Sequence, residues 1–251
     1  MSLTADTGSD DRRKVVIATP TYTEPLPAYL RSFEATARAF QAQGRELRST
    51  FKVRSPYISH ARAEMLGKAL HAGADDVVFI DHDLEWEPET FFRLIETPGD
   101  VVSGLYRFKL EPEEYMGAIR PDAEGRPIVR EDGCIRADWI PGGFMKITKE
   151  GVDRFMRAYP ELCFGPRFAL MVDLFNHGAW DGQWWGEDYS FSRRWNAMGG
   201  EIWVVPDLDL THHDAGRAYP GNFHDFLARQ PGGAREGQPP VWAQAFTRSA
   251  A

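Results

Sequence analysis

The stretch from residue 77 to residue 84 constrains the fold more than any other part of this 251-residue chain. Four consecutive apolar residues run from Val77 to Ile80, and two carboxylates follow at Asp81 and Asp83. An uninterrupted apolar run of this length is typical of a strand buried on both faces, as in a parallel sheet. Ligands of open α/β sheets bind at the carboxyl ends of such strands. Two acids there suit a hard cation such as Mg²⁺ or Mn²⁺, although an Asp-X-Asp alone is more often a polar turn.

Segments with strand and helix patterns alternate through the first hundred residues. Apolar runs predict strands at 14–18, 46–53, 77–83 and 100–105. Apolar residues at helical spacing predict helices at 27–44, 57–72 and 88–96. Such alternation implies a mostly parallel central sheet with helices on both faces, so the expected fold class is α/β.

The pattern changes after Tyr106, where the predicted strands become shorter and the loops more polar. These strands are predicted at 115–119, 127–134, 145–148, 168–175 and 201–206. Helices are predicted at 149–158 and from about Glu187. A second, smaller set of strands is therefore expected beside the central sheet.

Composition excludes some classes of function. The net charge is −8 and no run of Lys or Arg occurs, which disfavours nucleic acid as a partner because its phosphates require clustered cations. The two cysteines, Cys134 and Cys163, have neither metal-ligand spacing nor a disulfide framework, so a reduced, cytoplasmic setting is expected. The polar first 13 residues do not resemble a signal peptide, and no stretch approaches the roughly 20 apolar residues of a membrane span.

A second motif combines aromatic and acidic residues at the predicted start of a helix. Trp184, Trp185 and Gly186 precede Glu187 and Asp188. Acids in a first helical turn are common caps, because the free N–H groups and the helix dipole stabilise them. Asp188, however, shares a helical face with the apolar residues that follow it, so we expect it to point inward. An inward carboxylate beside an aromatic wall, which suits a ring-shaped ligand, is a candidate general base.

A third motif, His212-His213-Asp214, follows the last predicted strand. Adjacent residues of an extended chain point in opposite directions, so we expect only one of the two histidines to face Asp81 and Asp83. Alone, this motif is as well explained by a polar turn with a surface histidine.

The order of these motifs resembles the GT-A fold glycosyltransferases, in particular family-2-like members. A strand ending in Asp-X-Asp comes first, Gly-Glu-Asp opens a helix about a hundred residues later, and a histidine follows the next strand. The segment from Pro141 to Met145 also looks like the strand that precedes the acceptor side in these enzymes. The resemblance implies a small antiparallel sheet on the acceptor side of the central sheet.

The resemblance implies a divalent cation, Mn²⁺ or Mg²⁺, that bridges the diphosphate of a nucleotide-sugar donor, with a UDP- or GDP-sugar expected. The implied metal ligands are Asp81 and Asp83 with His212 or His213, and Asp83 and His212 are the preferred members of each pair. The residues implied for binding the nucleotide-sugar are Thr19, Pro20, Tyr22, Arg62, Asp81 and His82.

On the acceptor side, the resemblance implies a hydroxyl-bearing acceptor, a glycan or a small molecule. In inverting members, Asp188 would deprotonate the hydroxyl and Glu187 would bind it; in retaining relatives, Asp188 would play a supporting role. Both outcomes stay open. The residues implied for binding the acceptor are Gly142, Gly143, Trp184, Trp185 and Gly186.

The expected organisation is one catalytic domain at 14–228. Its nucleotide-binding half would cover about 14–106 and its acceptor-binding half about 107–228. Residues 1–13 are predicted to be a disordered leader, and residues 229–251 a flexible tail or lid.

Three other functions fit the sequence less well than a transferase does. A sugar nucleotidyltransferase would carry a glycine-rich, basic loop after its first strand, whereas residues 19–24 contain neither glycine nor a cation. A metallohydrolase using Asp81, Asp83, His212, His213 and Asp214 would need more nitrogen ligands or a bridging carboxylate. A non-catalytic carbohydrate-binding protein would more naturally be all-β.

Overall fold

An eight-stranded sheet lies at the centre of the structure. The structure is a computed structural model, and it describes residues 13–180, 182–214 and 216–230. The helices in these residues are α1 (Pro27–Ala42), α2 (Ile58–His71), α3 (Pro88–Glu96), α4 (Lys149–Ala158), α5 (Glu187–Ala197) and α6 (Phe223–Arg229), with one 3₁₀ turn at Pro160–Leu162. The first eight strands are β1 (Val15–Thr21), β2 (Arg48–Val53), β3 (Asp76–Ile80), β4 (Leu84–Trp86), β5 (Val101–Ser103), β6 (Ala118–Ile119), β7 (Ile135–Trp139) and β8 (Phe144–Thr148). The other strands are β9 (Cys163–Phe164), β10 (Met171–Val172), β11 (Gly178–Trp180), β12 (Gln183–Trp185), β13 (Ile202–Val204), β14 (Asp209–His213) and β15 (Ala218–Asn222).

The central sheet has the strand order β2-β1-β3-β8-β5-β13-β7-β6. Strands β2, β1 and β3 are mutually parallel, and so are β5 and β13. Strand β8 is antiparallel to both of its neighbours, β3 and β5. Strand β7 is antiparallel to β13 and β6. All strands of this sheet except β7 and β8 therefore point the same way, which confirms the predicted α/β class with a mostly parallel central sheet.

Strand β3 is buried on both faces, as the apolar run predicts. Val77 and Phe79 belong to the hydrophobic core on one side of the sheet, and Val78 and Ile80 belong to the core on the other side. Residues of α2, α4 and α5 pack into the first core, and residues of α1 and α3 pack into the second. The helices on the two faces thus exclude water from β3. Asp81 is the first polar residue that follows this strand.

A small antiparallel sheet, β15-β14-β4, lies beyond the carboxyl end of β3. His212 of β14 pairs with Leu84, and the backbone N–H of His213 donates to the carbonyl of Asp83 at 2.8 Å. This pairing joins the third motif to the first, although about 130 residues separate them in sequence.

Several predicted strands differ from those observed. The strand predicted at 168–175 is confined to β10, because Ala169 donates to the carbonyl of Pro166 in a turn and Phe168 is exposed. The strands predicted at 115–119 and 127–134 reduce to β6 and isolated bridges. The strands that were not predicted are β4, β7, β9, β11, β12, β14 and β15. Strand β15, for example, contains Pro and Gly, which are unfavourable in strands, and it pairs with β14.

Most of the predicted leader and tail lies outside the described residues; Arg13, Arg229 and Gln230 are the exceptions. Arg13 forms an ion pair with Asp76, and Arg229 forms one with Glu113. In the described part of the chain, no helix has the length and hydrophobicity needed to cross a membrane.

Candidate functional site

A cleft of about 410 Å³ opens where β1 and β3 end. Its volume lies within the usual range for a small-molecule site. Among the residues that line it are nine of those predicted from the sequence: Pro20, Tyr22, Arg62, Asp81, His82, Asp83, Glu187, Asp188 and His212. The fold therefore brings all three motifs to one cavity.

Arg62 of α2 lies beneath the cleft and holds the carboxylates of two motifs together. Its side chain is 1% exposed. One guanidinium nitrogen donates to Asp81 Oδ1 at 3.1 Å, and the other donates to Asp188 Oδ1 at 3.0 Å. Glu187 lies 3.7 Å from the second nitrogen. Burial lowers the pKa of Arg62, but the three neighbouring carboxylates outweigh it and raise the pKa, so the guanidinium keeps its charge.

Asp188 points inward from the first turn of α5, as the helical pattern predicts. Burial raises the pKa of Asp188 to about 6, since the favourable charge of Arg62 is opposed by the negative charges of Glu187 and Asp81. The backbone N–H of Gly142 also donates to this carboxylate. A carboxylate with such a pKa can accept a proton near neutral pH, which is the requirement for a general base.

Gly142 and Gly143 form the floor beneath these carboxylates. A Cβ at Gly143 would lie 2.2 Å from the hydroxyl of Tyr106 and 2.4 Å from Asp81 Oδ2. A Cβ at Gly142 would lie 2.7 Å from Asp188 Oδ1. The backbone of Gly143 also accepts a 2.9 Å hydrogen bond from the N–H of Asp81. Both glycines are thus required by close approach to the carboxylates, and neither lines the cleft itself.

Asp83 is surrounded by two groups that can carry positive charge. The ammonium of Lys109 donates to Asp83 Oδ2, and His212 Nε2 lies 3.5 Å from the same oxygen. Burial raises the pKa of Asp83, but His212 and Lys109 together hold it well below its usual range. Asp83 therefore remains ionised throughout the neutral pH range.

The orientation of His212 is set by the loop that follows Tyr106. Its Nδ1 lies 2.8 Å from the carbonyl oxygen of Arg107, which can only accept, so Nδ1 carries the hydrogen. In the neutral ring, the lone pair of Nε2 then faces Asp83. Metal-binding histidines in proteins are oriented in the same way by a carbonyl or carboxylate on their other nitrogen.

Asp83 and His212 fit a divalent cation as two protein ligands. Mg²⁺ and Mn²⁺ are usually bound by one or two protein ligands, with phosphates and water completing the shell. Within the described ranges, no group of three or more His, Cys, Asp or Glu side chains is arranged to hold a metal. The Asp81 carboxylate accepts a hydrogen bond from Arg62 and lies 3.4 Å from the Tyr106 hydroxyl. The ring of His213 points away from the cleft, with its Nε2 2.8 Å from Glu85 Oε2.

Other predicted residues lie outside the cleft. Thr19 is fully buried, and its hydroxyl lies 2.5 Å from that of Tyr29. Trp185 stacks on Tyr189 with ring centroids 4.9 Å apart, whereas Trp184 is 70% exposed. Both tryptophans belong to the β11-β12 hairpin, and Gly186 is the N-cap of α5. This hairpin leads directly into Glu187 and Asp188, so an aromatic surface adjoins the acidic end of the cleft.

Sequence reasoning missed several residues of the cleft. Tyr106 is buried beside Asp81, and its ring contacts His212 edge-on at 5.0 Å between centroids. Lys109 contacts Asp83 without lining the cleft, and it carries no sequence signal, since it lies in a polar loop without periodicity. The other residues missed are Thr21, Lys52, Ser55, Pro56, Ile58, Ala61 and Met116. Lys52 could have been predicted, because it lies at the carboxyl end of β2, beside the end of β1.

No protein-family model matches the chain, and no curated protein matches it in sequence. Solved structures to which it is similar include A197 from STIV, with a TM-score of 0.49 and 13% identity over 83% of this chain and 94% of that one. A structure of GalNAc-T7 with UDP, GalNAc and Mn²⁺ has a TM-score of 0.46 and 13% identity, over 81% of this chain and 44% of that one.

The catalytic domain of Drosophila β1,4-galactosyltransferase 7, in complex with xylobiose, is also similar. Its TM-score is 0.41 and its identity 12%, over 93% of this chain and 79% of that one. The similar structures thus include glycosyltransferases, but the identities and TM-scores are low.

Proposed function

We propose that this chain is a metal-dependent glycosyltransferase that moves a sugar from a nucleotide-sugar donor to a hydroxyl acceptor. The observation that carries the proposal is that one cleft contains two acidic groups in different surroundings. Asp83 and His212 lie at one end, and Asp188 lies at the other with its pKa raised to about 6. Arg62 connects the two ends through its bonds to Asp81 and Asp188.

The end with Asp83 and His212 suits the donor. These two side chains would hold Mn²⁺ or Mg²⁺, which neutralises the charge that develops on a departing diphosphate. Pro20, Tyr22 and His82 line the adjoining part of the cleft and would contact the nucleotide. Tyr22 is exposed, so its ring is free to stack on a base. Arg62 would act on the donor through Asp81, because its guanidinium is buried against carboxylates.

The end with Asp188 suits the acceptor. Asp188 would remove the proton from the acceptor hydroxyl as it attacks the sugar, and Glu187 would hold that hydroxyl. The exposed face of Trp184 and the stack formed by Trp185 and Tyr189 would provide a surface for a ring-shaped acceptor such as a glycan. This assignment applies to an inverting reaction; in a retaining reaction, Asp188 would stabilise the reacting sugar without removing the proton.

Ligand-dependent thermal stability tests the donor assignment. The protein is heated with UDP, GDP, CMP and dTDP and their sugar derivatives, each with Mn²⁺ and with EDTA. A ligand at about 100 times its Kd stabilises the native state by about 2.7 kcal/mol, which corresponds to roughly 5–10 °C for a chain of this size. One nucleotide should give such a shift only with Mn²⁺. If no nucleotide shifts the melting temperature while metal alone does, the donor assignment is wrong.

Replacing Asp188 with asparagine tests the acceptor assignment. Asp188→Asn keeps the size of the side chain but removes the base, so turnover should fall by about 10²–10⁴-fold while nucleotide binding is retained. Asp153→Asn, an exposed change in α4 away from the cleft, is the matched control and should leave turnover unchanged. Unaltered turnover in Asp188→Asn would remove this residue from the mechanism. The anomeric configuration of the product, read by NMR, separates inversion from retention.

A further inference from the structure

We infer that Lys109 is an internal cation that competes with a divalent metal for Asp83 and then pairs with the diphosphate of the donor. The inference rests on the proposed function, since it concerns the same donor end of the cleft. It assigns a role to a residue that lies outside all three sequence motifs. Metal binding at Asp83 would thereby be coupled to binding of the leaving diphosphate.

The contacts of Asp83 carry the first step of this inference. The Lys109 ammonium bonds to Oδ2, which is also the oxygen nearest to His212 Nε2, at 3.5 Å. A metal bound by Asp83 and His212 would lie beside this same oxygen, so the positive charge of the ammonium would oppose its binding.

The loop around Lys109 allows the side chain to move without the backbone. Phe108 donates to the carbonyl of Glu114 at 2.9 Å, and Arg107 donates to the carbonyls of Leu110 and Glu111, each at 3.3 Å. These bonds hold the main chain in place. The lysine side chain is 32% exposed and has a flexible stem of four carbons, so its ammonium can swing away from Asp83.

Arg62 and Lys52, the arginine and lysine that line the cleft, already have carboxylate partners. Arg62 is bonded to Asp81 and Asp188, and Lys52 lies 2.6 Å from a carboxylate oxygen of Glu64. A diphosphate that arrives beside Asp83 brings negative charge to the point where Lys109 has just lost its partner. Pairing the displaced ammonium with a phosphate oxygen restores the charge balance, as lysines do in many phosphate sites.

Manganese binding without any nucleotide tests the competition. Free Mn²⁺ is measured by electron paramagnetic resonance during titration of the wild type and of Lys109→Met. The variant should bind Mn²⁺ about tenfold more tightly, because a unit positive charge within a few Å of the ion has been removed. Lys109→Arg retains the charge and should bind Mn²⁺ as the wild type does. Lys149→Met, a change of the same charge on the exposed surface of α4, controls for the altered net charge.

Inorganic pyrophosphate at saturating Mn²⁺ tests the second half of the inference. Calorimetry should show about tenfold weaker pyrophosphate binding by Lys109→Met than by the wild type or Lys149→Met, since one phosphate partner is missing. Unchanged Mn²⁺ and pyrophosphate affinities in Lys109→Met would overturn the role of Lys109 alone. If neither the wild type nor Lys109→Met binds Mn²⁺ more tightly than Asp83→Asn does, the metal site itself is wrong, and both proposals fail. Thermal unfolding of each variant verifies that it is folded.

Discussion

Replacing Gly143 with alanine should destabilise the protein by about 2 kcal/mol, through packing against the cleft carboxylates. The added Cβ would lie 2.2 Å from the Tyr106 hydroxyl, 2.4 Å from Asp81 Oδ2 and 2.8 Å from Asp81 Cγ. Ordinary contacts begin near 3.4 Å, so one or both neighbours must shift by about 1 Å. Gly143 has no positive φ, which means that the cost arises from packing and not from backbone conformation.

Neither neighbour of Gly143 can move freely. Tyr106 is fully buried, and Asp81 is held by Arg62 and by the 2.9 Å hydrogen bond from its own N–H to the carbonyl of Gly143. Overpacking of this kind costs about 1–3 kcal/mol, and because the shift would also disturb the Arg62–Asp81 ion pair, we expect a value near the middle of that range. For a chain of this length, the melting temperature should fall by roughly 4–8 °C.

Urea denaturation and thermal unfolding measure this loss. Gly216→Ala is the matched control, because no atom of the described residues lies within 4 Å of its added Cβ. Its free energy of unfolding should stay within about 0.5 kcal/mol of the wild type. A Gly143→Ala protein as stable as Gly216→Ala would show that the backbone beneath the cleft carboxylates is not packed as described.

Two further predictions concern the charges of the cleft. Arg62→Met leaves Asp81 and Asp188 without their buried cation and should cost roughly 3 kcal/mol in urea denaturation. Arg126→Met, which removes an exposed partner of Asp122, should cost much less, and equal losses in the two variants would contradict the Arg62 assignment. The pH profile of kcat/KM should have an acidic limb at about pH 6, since a base with its pKa raised to about 6 is active only when deprotonated above that pH. Below it, the rate should fall about tenfold per pH unit, and a flat profile between pH 5 and pH 8 would exclude Asp188 as the base.

Local patterns in the sequence predicted much of the fold. The apolar run from Val77 to Ile80 predicts a strand buried on both faces, and the structure confirms it. The helix from Glu187 was predicted from residues three and four apart, and its inward face carries Asp188. These features follow from the periods of strands and helices, which depend only on residues close together in the chain.

Strand-end reasoning placed Asp81 and Asp83 at a ligand site, because ligands of open α/β sheets bind at the carboxyl ends of the strands. The resemblance added Pro20, Tyr22, Arg62 and His82, and all six residues line one cleft. Side-chain alternation also predicted that only one histidine would face the acidic site. The structure turns His212 toward Asp83 and His213 toward Glu85. The alternation of side chains along β14 limits the site to one of the two, but the pairing of β14 with β4 decides which one.

The tertiary structure alone decided which charges meet. Insertion of β8 between β3 and β5 brings the backbone of Gly143 against Asp81, a contact that no local pattern indicates. Arg62 reaches Asp188 across 126 residues of sequence, and Lys109 reaches Asp83 across 26. The spacing of apolar residues indicates which face of a helix or strand is buried. It contains no information about which residue of another element that face will contact. Those partners are selected by packing and by the need to compensate charges that packing has removed from water.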